Sequence, residues 1–242
     1  MISSILILAA GQGKRLNPIT NSIPKPLIRV PVNGKSILEK LVIQCKRDFA
    51  QIPVYVNVSH LANKVIEHFM NMDAELRPIF LFEDSPLGPA VTVKNISDRL
   101  QGMCLVIHGD LVLANEGFKK FAEYVKSSKS QIIVCHYREK SRARSEIIES
   151  NGFLVDIREP VTIDEAVQGD ASSLVLVSSG IMVIDFLELH DFEAESGQAL
   201  SPFLVNHLKK GSMRTYLWSD WRYSIDSLDT LAEASLALKD LT

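Results

Sequence analysis

Two glycines, three cations and several prolines lie close together near the start of the chain. The stretch reads Leu8-Ala9-Ala10-Gly11-Gln12-Gly13-Lys14-Arg15-Leu16-Asn17-Pro18-Ile19-Thr20, and Pro24-Lys25-Pro26-Leu27 follows. Glycines at 11 and 13 let the backbone approach an anion and offer it N–H groups. Arg15 adds a forked donor that matches phosphate oxygens. Lys25 stands between two prolines that restrict the chain around it. The string is not a Walker A loop, because no Gly-Lys-Ser/Thr follows at the required spacing. It is not a full dinucleotide fingerprint either, because Leu16 stands where the third glycine belongs. A turn-rich loop with surface cations is the bland alternative. The apolar strand before it and the lack of nearby acids weigh against that.

A second constellation is His108-Gly109-Asp110, at the end of the apolar run Met103 to Ile107. Ligands of open α/β sheets bind at the carboxyl ends of strands. A carboxylate there, beside a loop built for phosphates, is a natural Mg²⁺ ligand. A helix-capping Asp is the competing reading. Other chemistries find little support. Cys45, Cys104 and Cys135 are odd in number and widely spaced, which suits neither a disulfide framework nor a zinc site. The six histidines lack ligand spacing, and no Ser or His triad candidate is present.

The elements that must position these residues follow from apolar patterning. Ile5 to Ala10 is a continuous apolar run, as in a parallel strand buried on both faces. Ser36 caps an expected helix to about Phe49. Ile52 to Val58 reads as a strand, Asn63 to Met70 as a helix, and Pro78 to Phe82 as a third strand. Pro89 opens a helix to about Leu100. A helix from Glu116 to Lys126 follows the Met103 strand. Alternation of this kind implies βαβ units and a parallel sheet. After Ser130 the pattern changes. Gln131 to Tyr137, Ser145 to Glu149 and Phe153 to Arg158 read as strands with no helix between them, and Asn151-Gly152 as a hairpin turn. Leu174 to Ile184 and Met213 to Trp218 are further strands, with helices expected over Ser201 to Lys209 and Leu228 to Lys239.

The chain has 242 residues and is 46% hydrophobic and 23% charged, an ordinary globular composition able to bury a full core. Its net charge of −3 gives no basic field for nucleic acid or a membrane surface. Yet Lys14, Arg15, Lys25, Arg29 and Lys35 all precede the first acid, Glu39. The N-terminal apolar run is too short for a membrane span and has the wrong flanks for a signal peptide. A cytoplasmic protein is expected.

The string G-x-G-x-R-L-x-P-x-T followed by P-K-P-L resembles the signature of the sugar-phosphate nucleotidyltransferases. The resemblance is dense over residues 5 to 58 and thins thereafter. It implies a Rossmann-like three-layer α/β/α fold of the nucleotide-diphospho-sugar transferase type, with a mostly parallel, mixed central sheet. It implies one nucleotidyltransferase domain over 1–242, with a nucleotide-binding half (1–130) and an acceptor-binding half (131–242). The implied reaction joins a nucleoside triphosphate to a phosphorylated small molecule, a sugar 1-phosphate first of all, and releases pyrophosphate. The implied nucleotide-binding residues are Leu8, Ala10, Gly11, Gly13, Lys14, Arg15, Lys25, Glu83 and Gly88, with Arg15, Lys25 and Asp110 catalytic. Mg²⁺ is the implied cofactor. A homo-oligomer is also in keeping with the family, although no stripe marks an interface.

Glu83-Asp84-Ser85-Pro86-Leu87-Gly88-Pro89-Ala90 resembles the family's nucleotide-base loop. Many uridylyl- and thymidylyltransferases place Gln near position 83. A carboxylate only accepts hydrogen bonds, so Glu83 suits guanine or cytosine, unless it points to solvent. His108-Gly109-Asp110 resembles the Gly-Asp metal motif. Trp221 to Asp229 resembles the closing motif. One alignment puts Ser224 in the ligand position and another Asp226, and the chemistry of Mg²⁺ favours Asp226 over a role as helix cap. Arg158-Glu159-Pro160 stands where the family has Glu-Lys-Pro, so Glu159 replaces the lysine that binds the sugar phosphate. Arg142, Arg144 and Arg158 are candidate replacements, against a reading as a solvated charged face. Ser178-Ser179-Gly180 keeps the glycine of Asn-Ala-Gly, which makes Gly180 and Arg158 the candidate acceptor residues.

Three other readings compete. Phosphocholine cytidylyltransferases share the early motif. A non-catalytic nucleotide-sugar-binding regulatory protein is compatible with the altered acceptor motifs. A dinucleotide-dependent oxidoreductase would need Gly at 16 and an acid closing the second strand, where Asn57-Val58-Ser59 stands.

Overall fold

A computed structural model describes residues 1–139, 146–158, 175–208, 210–211 and 213–239. The first half alternates as its sequence requires: β1 (Ile2–Leu8), α1 (Ile37–Asp48), β2 (Val54–Val58), α2 (Ala62–Met70), β3 (Ile79–Phe82), α3 (Pro89–Ser97), β4 (Met103–His108), β5 (Leu111–Leu113) and α4 (Asn115–Ser127). The second half supplies β6 (Ile132–Glu139), β7 (Glu146–Ser150), β8 (Phe153–Arg158), β9 (Val175–Asp185), α5 (Ser201–Leu208), β10 (Arg214–Leu217), β11 (Arg222–Ser224) and α6 (Leu228–Ala237).

Nine strands form one mixed sheet in the order β3-β2-β1-β4-β9-β6-β10-β8-β7. β1 pairs in parallel with β2 and β4, and β2 with β3. Beyond β4 the pairing turns antiparallel at β9, and only β10 and β6 run parallel there. The break at about residue 130 is therefore a change of pairing within one sheet. Asn151 and Gly152, both at positive φ, turn β7 back along β8.

The apolar run of β1 is buried on both faces. Ile5 and Ile7 join one core with α1, α2 and α4, while Leu6 joins the opposite core with α3 and α5. β4 repeats the division, with Leu105 and Ile107 on the first side and Cys104 and Val106 on the second. Period-2 alternation sends neighbours to opposite helical layers, which is why the run shows no polar face. α1 starts at a capping box. Glu39 N–H donates to Ser36 Oγ at 3.2 Å, and Ser36 N–H donates to Glu39 Oε2 at 2.6 Å. The three cysteines are buried thiols, with Cys104 and Cys135 pushed up to about 12 by burial. None is a thiolate nucleophile. Among the described residues, no helix is long and apolar enough to cross a membrane.

Two short strands go beyond the patterning. β5 and β11 pair antiparallel as a separate ribbon, with Leu111 opposite Ser224 and Leu113 opposite Arg222. Three-residue strands are too short to show a period, so only the fold reveals them.

Candidate active site

The order β2-β1-β4 reverses direction at β1. The crevice expected at such a switch point lies above the carboxyl ends of β1 and β4. A cleft of about 200 Å³ lies there. Leu8, Ala10 and Gly11 line it from β1, Lys25 from the following loop, Glu83 and Gly88 from the segment before α3, and His108 and Asp110 from β4. The ends of the two strands are pinned together, because Gly109 N–H donates to the Leu8 carbonyl at 2.8 Å. A Cβ at Gly109 would lie 2.6 Å from that oxygen, so a larger residue would push the strands apart.

Gly13 does not line this cleft. It takes the left-handed conformation, φ 66° and ψ 32°, where a Cβ would meet Lys25 Cβ and Thr20 Cγ2 at 3.0 Å each. Its place in the loop is to let Lys25 pack close. Thr20 Oγ1 completes the turn by donating to the Gly13 carbonyl at 3.0 Å. Lys14 is exposed at the start of a 3₁₀ turn.

Lys25 Nζ reaches Asp110 Oδ2 at 2.8 Å, with the two side chains 15% and 21% exposed. Burial pushes the Asp110 carboxyl up, but Lys25, His108 and Arg222 outweigh it and hold the group below its ordinary value. Asp110 leads into a strand, so it caps no helix. Asp226 lies close by, because Ile225 N–H donates to the Asp110 carbonyl at 2.8 Å across the β5–β11 ribbon. The last helix is capped by Ser227, whose Oγ accepts from Thr230 N–H at 3.2 Å. The Asp226 carboxylate meets Arg15 Nη2 at 3.4 Å. Arg15 is otherwise three-quarters exposed.

Glu83 is buried rather than turned to solvent. Its Oε1 accepts from Thr92 Oγ1 at 2.6 Å and Asn57 Nδ2 at 2.9 Å, and its Oε2 from Leu87 N–H at 3.1 Å. Asn57 Oδ1 in turn accepts from Ala9 N–H at 2.6 Å. This relay ties the segment before α3 to the loop after β1. Gly88, at φ 91°, has the backbone of Gly197 against it, 2.8 Å from an added Cβ.

A second cleft, of about 140 Å³, abuts the first. His108 and Asp110 line both, and Ser178, Gly180, Arg222 and Ser224 are among the residues lining the second. Gly180 is at φ 77°, and a Cβ there would press on the His108 ring at 3.1 Å. Arg158 lies outside both clefts, 65% exposed, with Nη1 3.7 Å from Glu146 Oε2. Glu159, Arg142 and Arg144 lie outside the described residues. Two residues carried no sequence-based role, Asn57 and Arg222. Asn57 had a faint signal as a polar residue inside an apolar strand. Arg222 stands in the closing motif, but only the ribbon shows that it shares a cleft with Asp110.

The same architecture occurs in solved structures. UDP-glucose pyrophosphorylase complexed with UDP-glucose matches with a TM-score of 0.77 at 17% identity, covering 100% of both chains. HddC from Yersinia pseudotuberculosis complexed with GMP-PN matches with a TM-score of 0.74 at 18% identity, covering 98% of this chain and 100% of the other. The fold is thus of the nucleotide-diphospho-sugar transferase type. Residues 4–149 match the family model described as nucleotidyl transferase, and the chain belongs to that family. In sequence it is 33% identical over 108 residues to the bifunctional protein GlmU of Methanococcus maripaludis. That match takes in 44% of this chain, which spans only 24% of the relative's length.

Proposed function

We propose that the chain transfers a nucleoside monophosphate from a triphosphate to a phosphorylated small molecule, a sugar 1-phosphate first of all, releasing pyrophosphate. The observation that carries this reading is the meeting of two clefts at His108 and Asp110. A binding protein for one nucleotide needs one cleft. A transferase needs two that share the reacting atoms.

In this reading the triphosphate enters the first cleft over Gly11, and the acceptor phosphate enters the second. An acceptor oxygen attacks the α-phosphorus in line, the α–β bridge breaks, and pyrophosphate leaves with the electron pair. Two anions must meet, so neutralisation and alignment dominate. Lys25 crosses the gap between the loop and Asp110, where crowded oxygens gather. Arg15, long and exposed, swings to the departing pyrophosphate. A phosphate monoester is largely ionised near neutral pH, so no general base is required. Residues 1–130 furnish the nucleotide cleft, while Ser178, Gly180, Arg222 and Ser224 of the second half furnish most of the acceptor cleft.

The side chains fit a magnesium ion. Asp110 and Asp226 offer hard oxygen donors from the two segments that flank the β5–β11 ribbon, and no cluster of three His, Cys, Asp or Glu occurs among the described residues. Mg²⁺ commonly takes one or two carboxylates and completes its shell with phosphates and water. When bound, it would neutralise charge on the triphosphate. Base choice goes to Glu83. Among the described residues its Oε2 accepts only from the Leu87 N–H, and it can accept a further bond from guanine or cytosine.

The test is Mg²⁺-dependent pyrophosphate release with each of the five common triphosphates against a panel of sugar 1-phosphates and phosphocholine. Release requiring one triphosphate and one acceptor is expected. Silence across the panel with triphosphate binding intact would refute the reading.

A further inference from the structure

The second cleft holds a cation that the loop motifs leave unexplained. Arg222 opens β11, opposite Leu113 on β5. Its Nη2 donates to the Ser179 carbonyl at 3.1 Å, and its guanidinium lies 4.0 Å from the Tyr137 ring centroid. A hydrogen bond and a stacked ring together fix the plane of the group. Its Nε–H is buried and has no acceptor among the described residues.

The other cations of the site are matched to carboxylates, Lys25 to Asp110 and Arg15 to Asp226. No carboxylate pairs with Arg222 among the described residues. A half-buried guanidinium without a carboxylate partner is costly, and an anion entering the cleft offsets that cost. The cleft it lines ends at Asp110, where its field already helps to keep the carboxylate ionised. Arg158 cannot serve in the same way, since it is exposed, faces Glu146 and lies outside the cleft.

We propose that Arg222 anchors the phosphate of the acceptor, its fixed guanidinium gripping two oxygens while the third faces the α-phosphorus beside Asp110. Ser178 and Ser224 line the same cleft and offer hydroxyl donors. The proposal rests on the transferase reading above, which supplies the acceptor. It adds the residue that grips that phosphate, a member of the closing motif.

The first measurement is binding of methyl phosphate, followed by ³¹P NMR. The nucleotide cleft is first filled with the α,β-methylene analogue of whichever triphosphate binds. Wild-type protein should bind the probe, and Arg222→Gln should bind it about 10- to 100-fold more weakly, the loss of a charged bidentate contact. Arg222→Lys keeps the charge without the fork and should fall between. Triphosphate binding should stay within about twofold of wild type in both variants, which a merely structural loss would not allow. Equal probe binding in wild type and Arg222→Gln, or none in wild type, would overturn the proposal. If Arg222→Gln does not fold, Arg222→Lys decides it alone, and unchanged probe binding in that variant overturns it. The transferase reading stands or falls separately on pyrophosphate release. Where turnover is found, Arg222→Gln should raise the acceptor KM by the same factor and leave the triphosphate KM unchanged.

Discussion

Replacing Asp110 by Asn separates chemistry from fold. The variant keeps shape and one acceptor oxygen, so Lys25 Nζ, now 2.8 Å from Oδ2, retains a weaker partner. It loses the charge that Lys25, His108 and Arg222 together favour. A hydrogen bond to a charged group contributes about 1.5–3 kcal/mol, and part of it survives here, so the expected destabilisation is roughly 1–2 kcal/mol. For a chain of this size that lowers the melting temperature by about 2–8 °C. Turnover is another matter. Single electrostatic stabilisers of a transition state contribute about 10²–10³ in rate, and a full charge at the reacting centre should lie at or above the upper end. A fall of at least ~10³ in kcat, about 4 kcal/mol, is expected at saturating substrates. The assay is initial pyrophosphate release beside circular-dichroism melting. A kcat within tenfold of wild type would refute the role given to Asp110. The stability gap also has a fixed pH dependence. The folded carboxyl lies below its ordinary 3.8, so its contribution is complete above about pH 5 and lost as pH falls through the folded value. The melting curves of wild type and Asp110→Asn should therefore converge in acid. A gap that widens there would contradict the Lys25 pairing.

Other outcomes follow from the same geometry. Gly13→Ala forces a Cβ into a left-handed position already 3.0 Å from Lys25 and Thr20, and should cost about 1–2 kcal/mol in urea unfolding and lower kcat by displacing Lys25. Wild-type stability and kcat in that variant would sink the packing argument. Because Asp110 is held ionised well into acid, the acid limb of kcat/KM for the acceptor should fall near pH ~6, the second ionisation of a phosphate monoester. A limb at pH ~4 or below would assign it to a protein carboxylate instead. Glu83→Gln turns an amide N–H toward the Leu87 N–H and removes an acceptor for the base. It should cost about 1–2 kcal/mol of stability and move the ratio of kcat/KM values away from GTP or CTP toward UTP. An unchanged ranking of triphosphates, or a wild-type preference for UTP, would remove Glu83 from base selection.

Much of this protein is written locally. The run Ile5 to Leu8 is apolar at every position because both faces of β1 are covered, and that can be read without a structure. The Ser36–Glu39 cap, the turn at Asn151-Gly152 and Pro89 at the start of α3 are also short-range chemistry. So is the loop from Gly11 to Lys25, whose residue types suit an anion. The sequence alone also puts Asp110 at the end of a buried strand, but it leaves Ser224 and Asp226 as rivals.

What only the tertiary structure decides involves partners far apart in the chain. Ser227 caps the last helix, and Asp226 turns to Arg15, more than two hundred residues away. Gly13 makes room for Lys25, a packing constraint that its motif does not announce. Glu83 is held by Asn57 and Thr92, which no spacing relates to it. Arg222 enters the site only because three residues of β11 pair with three of β5, a ribbon too short for any periodicity to show. Patterning and turn chemistry act over a few residues, and they fix elements and the loop. Which side chains face each other across the crevice depends on strand order and on the pairing of distant segments, and that is settled only when the whole core closes.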